Sequence, residues 1–116
     1  MTYLEILLDE RARAGEQIAA LEREFNDVAE AASAGGTDDE HDPEGATLAY
    51  ERQHTAALLA RTRTRLAEID AALVRLDEGT YGLCTRCGKP VGDARLAARP
   101  AAATCVRCAG RSPQSP

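Results

Sequence analysis

Residues 81–108 read YGLCTRCGKPVGDARLAARPAAATCVRC, and this stretch contains all four cysteines of the chain. The cysteines form two C-x2-C pairs separated by seventeen residues, a spacing typical of four-thiolate zinc sites. Each pair can place two sulfurs on one side of a tight turn, and two such turns complete a tetrahedron around the metal. Four thiolates leave no open coordination position. The sequence therefore predicts one structural zinc ion, bound by Cys84, Cys87, Cys105 and Cys108.

Two other interpretations of the cysteines are disfavoured. Disulfides would require an oxidising compartment, and the N-terminus leads directly from Met1 into acidic residues, unlike a secretory signal. A thioredoxin-type redox pair would require a βαβ context, and it would leave one C-x2-C pair unexplained. We therefore expect a cytoplasmic protein whose reduced thiols are available to a metal.

The composition predicts a mainly α-helical protein with a narrow apolar seam. The chain has one Phe, no Trp and three Tyr among 116 residues, and alanine supplies much of its 44% hydrophobic content. Alanine buries little surface, so a wide core is not expected. No run of about 18 apolar residues is present, so we expect no membrane span.

Charge is unevenly distributed along the chain. Residues 1–80 contain 8 Arg against 18 Asp or Glu, a net charge of −10. Residues 81–116 contain 6 Arg or Lys and one acidic residue, Asp93, a net charge of +5. Binding to phosphates depends on their neutralisation, so the long acidic part disfavours a conventional nucleic-acid-binding protein. We expect no direct sequence-specific DNA binding.

The N-terminal third predicts a long amphipathic helix. Thr2 and Glu5 fit a capping box, in which each side chain accepts from the other residue's backbone N–H. Apolar or small residues then recur at steps of three and four, broken only at Arg11, which predicts a heptad seam. The residues of this seam are Leu4, Leu7, Ala14, Ile18, Leu21, Phe25, Val28 and Ala32.

A second long helix is predicted to follow an acidic connection. Gly35 and Gly36 favour the end of the first helix, and Asp42-Pro43 is a typical N-cap and N1 pair. The second seam ends before Gly79, a typical left-handed C-cap, and it is interrupted at Arg52. Its residues are Leu48, Thr55, Leu59, Thr62, Leu66, Ile69, Leu73 and Leu76.

These elements predict a long antiparallel coiled-coil hairpin followed by a small four-cysteine zinc-finger domain. The hairpin covers residues 1–79 with an acidic tip near 34–45, the finger covers 80–109, and 110–116 has the composition of a disordered tail. The short glycine-containing connection favours pairing within one chain, and therefore a monomer. An intermolecular coiled coil is the alternative.

The finger sequence and its context resemble a known bacterial family. The motif L-x-x-G-x-Y-G-x-C-x-x-C-G is present from Leu76 to Gly88, and R-L-x-A-x-P-x-x-x-x-C-x-x-C runs from Arg95 to Cys108. Both motifs, following a long helical hairpin with an acidic tip, resemble the DksA/TraR family of proteins that bind RNA polymerase. The resemblance is specific over 76–108 and looser over the hairpin.

The resemblance implies a transcription regulator and not an enzyme. Members of that family dock on RNA polymerase and insert the hairpin into its secondary channel, where acidic tip residues modulate initiation. The corresponding acidic residues of this chain are Asp38, Asp39, Asp42 and Glu44. They depart from the Asp-x-x-Asp-x-Ala tip of DksA, because the nearest frame, Asp39-x-x-Asp42-x-Glu44, lacks the alanine.

Two other functions remain open at the level of sequence. The chain fits a zinc-ribbon nucleic-acid-binding or adaptor protein, with the basic finger as its contact surface and the helices as a dimerisation rod. It also fits a thiol redox sensor that releases zinc on oxidation. Co-purification with core RNA polymerase would favour the regulator, and a salt-sensitive shift of bare DNA would favour the nucleic-acid-binding protein.

Overall fold

The computed structural model describes residues 1–35 and 43–111, and side chains are described at all of these except 32–35 and 43–44. Its helices are α1 (Tyr3–Gly35), α2 (Pro43–Glu78), α3 (Asp93–Ala98) and α4 (Val106–Ala109). Over the described ranges there is no strand, and one isolated antiparallel bridge joins Leu83 and Pro90. The prediction of a mainly α-helical fold with two long helices is confirmed. No helix in the described part has both the length and the apolar character that crossing a membrane requires.

The capping box at the start of α1 is present as predicted. The backbone N–H of Glu5 donates to the Thr2 hydroxyl oxygen at 3.1 Å. In return, the backbone N–H of Thr2 donates to a carboxylate oxygen of Glu5 at 3.3 Å. These two bonds satisfy N–H groups that the first turn of a helix leaves without an intrahelical acceptor.

The end of α2 is a Schellman motif centred on Gly79. Gly79 has φ +82°, and its N–H donates to the carbonyl of Leu76 at 3.4 Å. The N–H of Thr80 donates to the carbonyl of Arg75 at 2.9 Å, which is the second bond of the motif. The predicted C-cap is confirmed, and it turns the chain out of α2 shortly before Cys84.

The chain divides into two compact units. The helical unit comprises Arg13–Arg65, and the finger unit comprises Met1–Ala12 together with the chain from Leu66 on. The predicted division at residues 79 and 109 concerns domains that fold independently, and it stays a prediction.

Within the helical unit, α1 and α2 run antiparallel. Glu22 forms an ion pair with Arg63 at 2.8 Å, and the guanidinium of Arg52 lies 5.4 Å from the centroid of the Phe25 ring. Residues further along α1 therefore meet residues earlier on α2. The cation–π contact also explains why Arg52 interrupts the apolar pattern, because its charged group lies over an aromatic face.

The seam of the helical unit is built from small and β-branched side chains. The seam positions that are buried here are Ala14, Leu21, Thr55, Leu59 and Thr62, as predicted. The Thr62 hydroxyl donates to the Leu58 carbonyl one turn earlier at 2.8 Å, so this polar side chain is satisfied within its own helix. Few large apolar groups are buried along this seam.

The finger unit pairs the first turns of α1 with the last turns of α2. Leu7, Ile69 and Ala72 are completely buried, and Arg11 is paired with Asp70 at 2.9 Å. The prediction that Leu4 belongs to the seam is wrong, since Leu4 is 48% exposed. The buried stripe steps back by four residues from Leu7 to Tyr3, and not by three residues to Leu4.

Candidate metal centre

The four cysteines of the finger lie together. One ligand atom from each of Cys84, Cys87, Cys105 and Cys108 falls within 4.8 Å of all the others. The Cys87 and Cys105 sulfurs are 3.8 Å apart. A tetrahedral zinc site with Zn–S bonds of about 2.3 Å has sulfurs roughly 3.8 Å apart along each edge, so the four residues can hold one zinc ion.

The first C-x2-C pair forms a tight turn held by backbone hydrogen bonds. Gly88 donates to the Cys84 carbonyl at 2.9 Å, and the N–H of Cys84 donates to the Lys89 carbonyl at 2.8 Å. Gly88 has φ +76°, a conformation that L side chains rarely adopt. The backbone N–H of Arg86 points at the Cys84 sulfur at 3.4 Å, which favours a thiolate there.

The second pair is tied to the first by contacts across the finger. Thr85 donates its backbone N–H to the Ala103 carbonyl at 2.8 Å. The guanidinium of Arg86 donates to the Cys108 carbonyl at 3.1 Å. The second pair begins α4, where Ala109 donates to the Cys105 carbonyl at 2.9 Å. These bonds hold both turns facing each other.

The segment between the two pairs is braced by side chains that bond to its backbone. The Tyr81 hydroxyl donates to the Pro100 carbonyl at 2.7 Å. Nε of Arg95 donates to the Thr104 carbonyl at 2.8 Å, directly before Cys105. Burial raises the pKa of Tyr81, so this hydroxyl stays protonated and able to donate. Both side chains fix the approach of the chain to the third cysteine.

The thiols cannot all ionise easily without a cation. Burial opposes ionisation of Cys84, but hydrogen bonds from the backbone at Cys105, Cys87 and Arg86 outweigh it and lower its pKa to about 6. Burial and the neighbouring cysteine sulfurs raise the pKa of Cys108 to about 12. A divalent cation at the centre would compensate the negative charge that opposes ionisation. The donor set therefore fits zinc.

Apolar packing supports the metal centre from below. The buried side chains of the finger are Cys84, Val91, Leu96 and Cys108, and Tyr3, Tyr81, Ala102 and Cys105 pack against them. The Tyr3 and Tyr81 rings lie 5.3 Å apart at 48°. Sequence reasoning missed the role of Tyr3, because nothing in the sequence near Tyr3 indicates a contact with residues almost eighty positions later.

The predicted polymerase-acting residues differ in what can be said of them. Asp38, Asp39 and Asp42 lie outside the described residues. Glu44 belongs to the first turn of α2, although its side chain is not among those described. Their participation in a functional site stays a prediction.

Comparison with known proteins gives the finger a family. Residues 79–114 match the model of the prokaryotic dksA/traR C4-type zinc finger. These residues include both C-x2-C pairs and α3, so the match covers the whole candidate metal centre. It supports assignment of the metal as one zinc ion.

Curated relatives extend the similarity beyond the finger. The chain is 46% identical over 59 residues to the RNA polymerase-binding transcription factor DksA of Caulobacter vibrioides, covering 47% of this chain and 42% of the relative. It is 34% identical over 62 residues to DksA of Escherichia coli, covering 52% of this chain and 41% of the relative. The matched region thus spans about two fifths of the length of these relatives.

A solved structure is similar over most of the chain. Transcription factor DksA2 from Pseudomonas aeruginosa aligns with a TM-score of 0.74 and 30% sequence identity. The alignment covers 92% of this chain and 77% of DksA2, and so includes long helical segments as well as the finger. Because this similarity in both sequence and fold extends over most of each protein, the chain belongs to the DksA/TraR family.

Proposed function

We propose that this protein is a transcription regulator that binds RNA polymerase and places the acidic connection between α1 and α2 in the secondary channel of the enzyme. The observation that carries the proposal is the likeness to DksA2 over 92% of the chain. A likeness confined to residues 79–114 would have supported a zinc finger alone. Because both long helices and the finger are shared, the family's mode of action is the natural expectation.

We assign the finger a structural role in this function. Cys84, Cys87, Cys105 and Cys108 ligate one zinc ion, which leaves no open coordination position for catalysis. The ion holds the two C-x2-C turns together. Tyr3 packs against the same core, so the finger is fixed to the start of α1. The metal thus orients the helices for docking and does not take part in chemistry.

We assign the regulatory effect to the acidic connection. Residues 38–44 contain five acidic side chains and no Lys or Arg. Several carboxylates within a few residues produce a field that suits a basic or magnesium-bearing cavity such as a polymerase channel. Asp38, Asp39, Asp42 and Glu44 are the residues that we expect to act there. The protein works as a monomer in the cytoplasm, where it meets the polymerase.

Binding to core RNA polymerase is the first test. The zinc-loaded chain should co-sediment with the core enzyme and should alter transcription in vitro from a promoter that forms an unstable open complex. The Cys87→Ser variant should lose binding, because the finger that orients the helices loses its metal. A chain that binds one zinc ion but never associates with core polymerase would contradict the proposed function.

Neutralising the connection should separate binding from effect. In the variant with Asp39→Asn and Asp42→Asn, affinity for polymerase should change by no more than a few-fold, while the effect on transcription is lost. Asn caps a helix about as well as Asp, so a loss could not be attributed to fraying at the start of α2. The matched control, Glu16→Gln with Glu24→Gln, removes two exposed charges from α1 and should regulate like the parent. Equal regulation by both variants would exclude a role for the acidic connection.

A further inference from the structure

Both C-x2-C pairs carry an arginine that zinc binding does not explain. The first pair reads C-T-R-C and the second reads C-V-R-C, so Arg86 and Arg107 each directly precede the second cysteine of a pair. Both side chains are exposed. Zinc ligation requires the cysteines and the turn backbone, but it does not require a cation at this position in both turns.

The structure brings a third arginine to the same edge of the finger. The guanidinium of Arg86 donates to the Cys108 carbonyl at 3.1 Å and also contacts the Arg111 carbonyl at 3.5 Å. The N–H of Arg111 donates to the same Cys108 carbonyl at 3.1 Å. The Arg86 side chain is thus held against the short backbone segment that carries Arg107 and Arg111. We call Arg86, Arg107 and Arg111 the arginine edge.

The charge of this edge is not balanced within the finger. Residues 81–116 contain only one acidic residue, Asp93, whereas residues 1–80 have a net charge of −10. A zinc ion with four thiolates contributes −2, which leaves this part of the chain at about +3. Solubility does not require a positive finger, because the rest of the chain already supplies a large net charge. The concentration of arginines in one place points to an anionic partner.

We propose that the arginine edge binds the phosphate backbone of duplex DNA without reading its sequence. Guanidinium groups are well suited to phosphate oxygens, because they donate paired hydrogen bonds and keep their charge at any physiological pH. The contacts of Arg86 with two carbonyls limit its motion before binding, which reduces the entropy lost on contact. The proposal is independent of polymerase binding and adds a second surface to the protein.

Two features of the finger select duplex backbone over other nucleic-acid modes. Proteins that bind single strands stack bases on exposed aromatic side chains. The only aromatic residue of the finger is Tyr81, whose hydroxyl bonds to Pro100 and whose ring contacts Tyr3. Reading the major groove requires a helix long enough to present several side chains to the bases, and α4 spans only Val106–Ala109. Backbone contact is the mode that remains.

The test uses the zinc-loaded full chain without polymerase. Fluorescence anisotropy would measure binding to two DNA duplexes of equal length and unrelated sequence over a series of salt concentrations. We expect equal affinity for both duplexes. The slope of log K against log salt should be roughly −3, since each of three phosphate contacts contributes about −0.9.

The informative variant is Arg107→Gln with Arg111→Gln. Its slope should become less steep by about 2, and its affinity at low salt should fall about tenfold or more. The matched control is Arg23→Gln with Arg61→Gln, which removes the same charge from exposed positions on α1 and α2. The control should stay within about twofold of the parent at the same salt concentration. Each variant is first checked for one bound zinc ion.

Several results would overturn the proposal. These are an equal loss in the control variant, no loss in the Arg107 and Arg111 variant, a preference for one duplex sequence, or tighter binding to polyglutamate than to DNA. The last result would indicate an acidic protein surface as the partner. If the glutamine variant fails to hold zinc, the variant with Arg107→Lys and Arg111→Lys decides, because it keeps the charge and should retain the salt slope within about 1.

Discussion

The finger and the helical unit are stabilised in different ways. In the finger, arginine side chains donate to backbone carbonyls, as Arg95 does to Thr104, and the cysteines converge on one point. In the helical unit, arginines contact side chains at the surface, as Arg63 does with Glu22 and Arg52 with Phe25. The finger therefore depends on a few obligatory contacts. The helical unit depends on many small contributions, none of which decides the fold.

This difference predicts an all-or-none response in the finger and a graded response in the helices. The finger buries only a small cluster of side chains, two of which are cysteines. Small domains with so little apolar core generally require a metal or disulfides for stability. The helical unit has a continuous seam, so loss of one contact leaves its neighbours in place. The predictions below test this contrast, beginning with the largest effect.

Removal of one zinc ligand should have the largest effect. In the Cys87→Ser variant we expect loss of zinc and of ordered structure in the finger, because structural zinc sites contribute on the order of 10 kcal/mol to folding. Most of the helical signal in circular dichroism should remain, since α1 and α2 account for most helical residues. Elemental analysis and proteolysis of residues 80–109 would measure the two effects. Protein purified without chelator that contains no zinc would refute the site.

Truncation of one seam leucine should have a smaller effect. Leu59 is 8% exposed, and Leu59→Ala should lower the free energy of unfolding by about 2–5 kcal/mol. Val74 is 54% exposed, so Val74→Ala is the matched control and should change stability by less than about 0.5 kcal/mol. Chemical denaturation measures both, and zinc content should be unchanged in both. Equal costs would show that the seam is not the stabilising element of the helices.

Sequence reasoning predicted the elements that local chemistry specifies. The Schellman motif at Gly79 and the capping box at Thr2 follow from a few neighbouring residues, and both are present. The convergence of the four cysteines follows from their spacing and the valence of zinc. Each of these features depends on short-range geometry, which the sequence displays directly.

Contacts between distant segments were harder to predict. The packing of Tyr3 against Tyr81 joins the start of α1 to the finger, and Leu4 was expected in the seam in its place. A heptad pattern near a helix end does not distinguish a step of three from a step of four, since the partner surface decides which side chain turns inward. The bond from Arg86 to Cys108 was also missed, because a turn sequence does not reveal where a long side chain reaches.

Two glycines give a pair of predictions with opposite signs. Gly88 has φ +76°, and a Cβ added there would meet no atom within 4 Å, so Gly88→Ala should destabilise the finger through backbone strain alone, by about 1–2 kcal/mol. Gly15 lies inside α1 with equally open space, and Gly15→Ala should stabilise the helix by about 0.5–1 kcal/mol. Competition with a zinc chelator would measure the first change, and thermal unfolding the second. Weaker zinc binding in both variants would contradict the distinction.

The surface ion pair of the helical unit should have the smallest effect. The Glu22 and Arg63 side chains meet at 2.8 Å but are 49% and 56% exposed, so water and salt screen their attraction. A double-mutant cycle with Glu22→Gln and Arg63→Gln should give a coupling energy of about 0.2–1 kcal/mol that disappears at high salt. Zinc affinity should not change in any of the three variants, because both residues lie in the helical unit and the metal site does not. A coupling energy well above that range and insensitive to salt would show that this ion pair decides the stability of the unit, and the contrast between graded helices and an all-or-none finger would then fail.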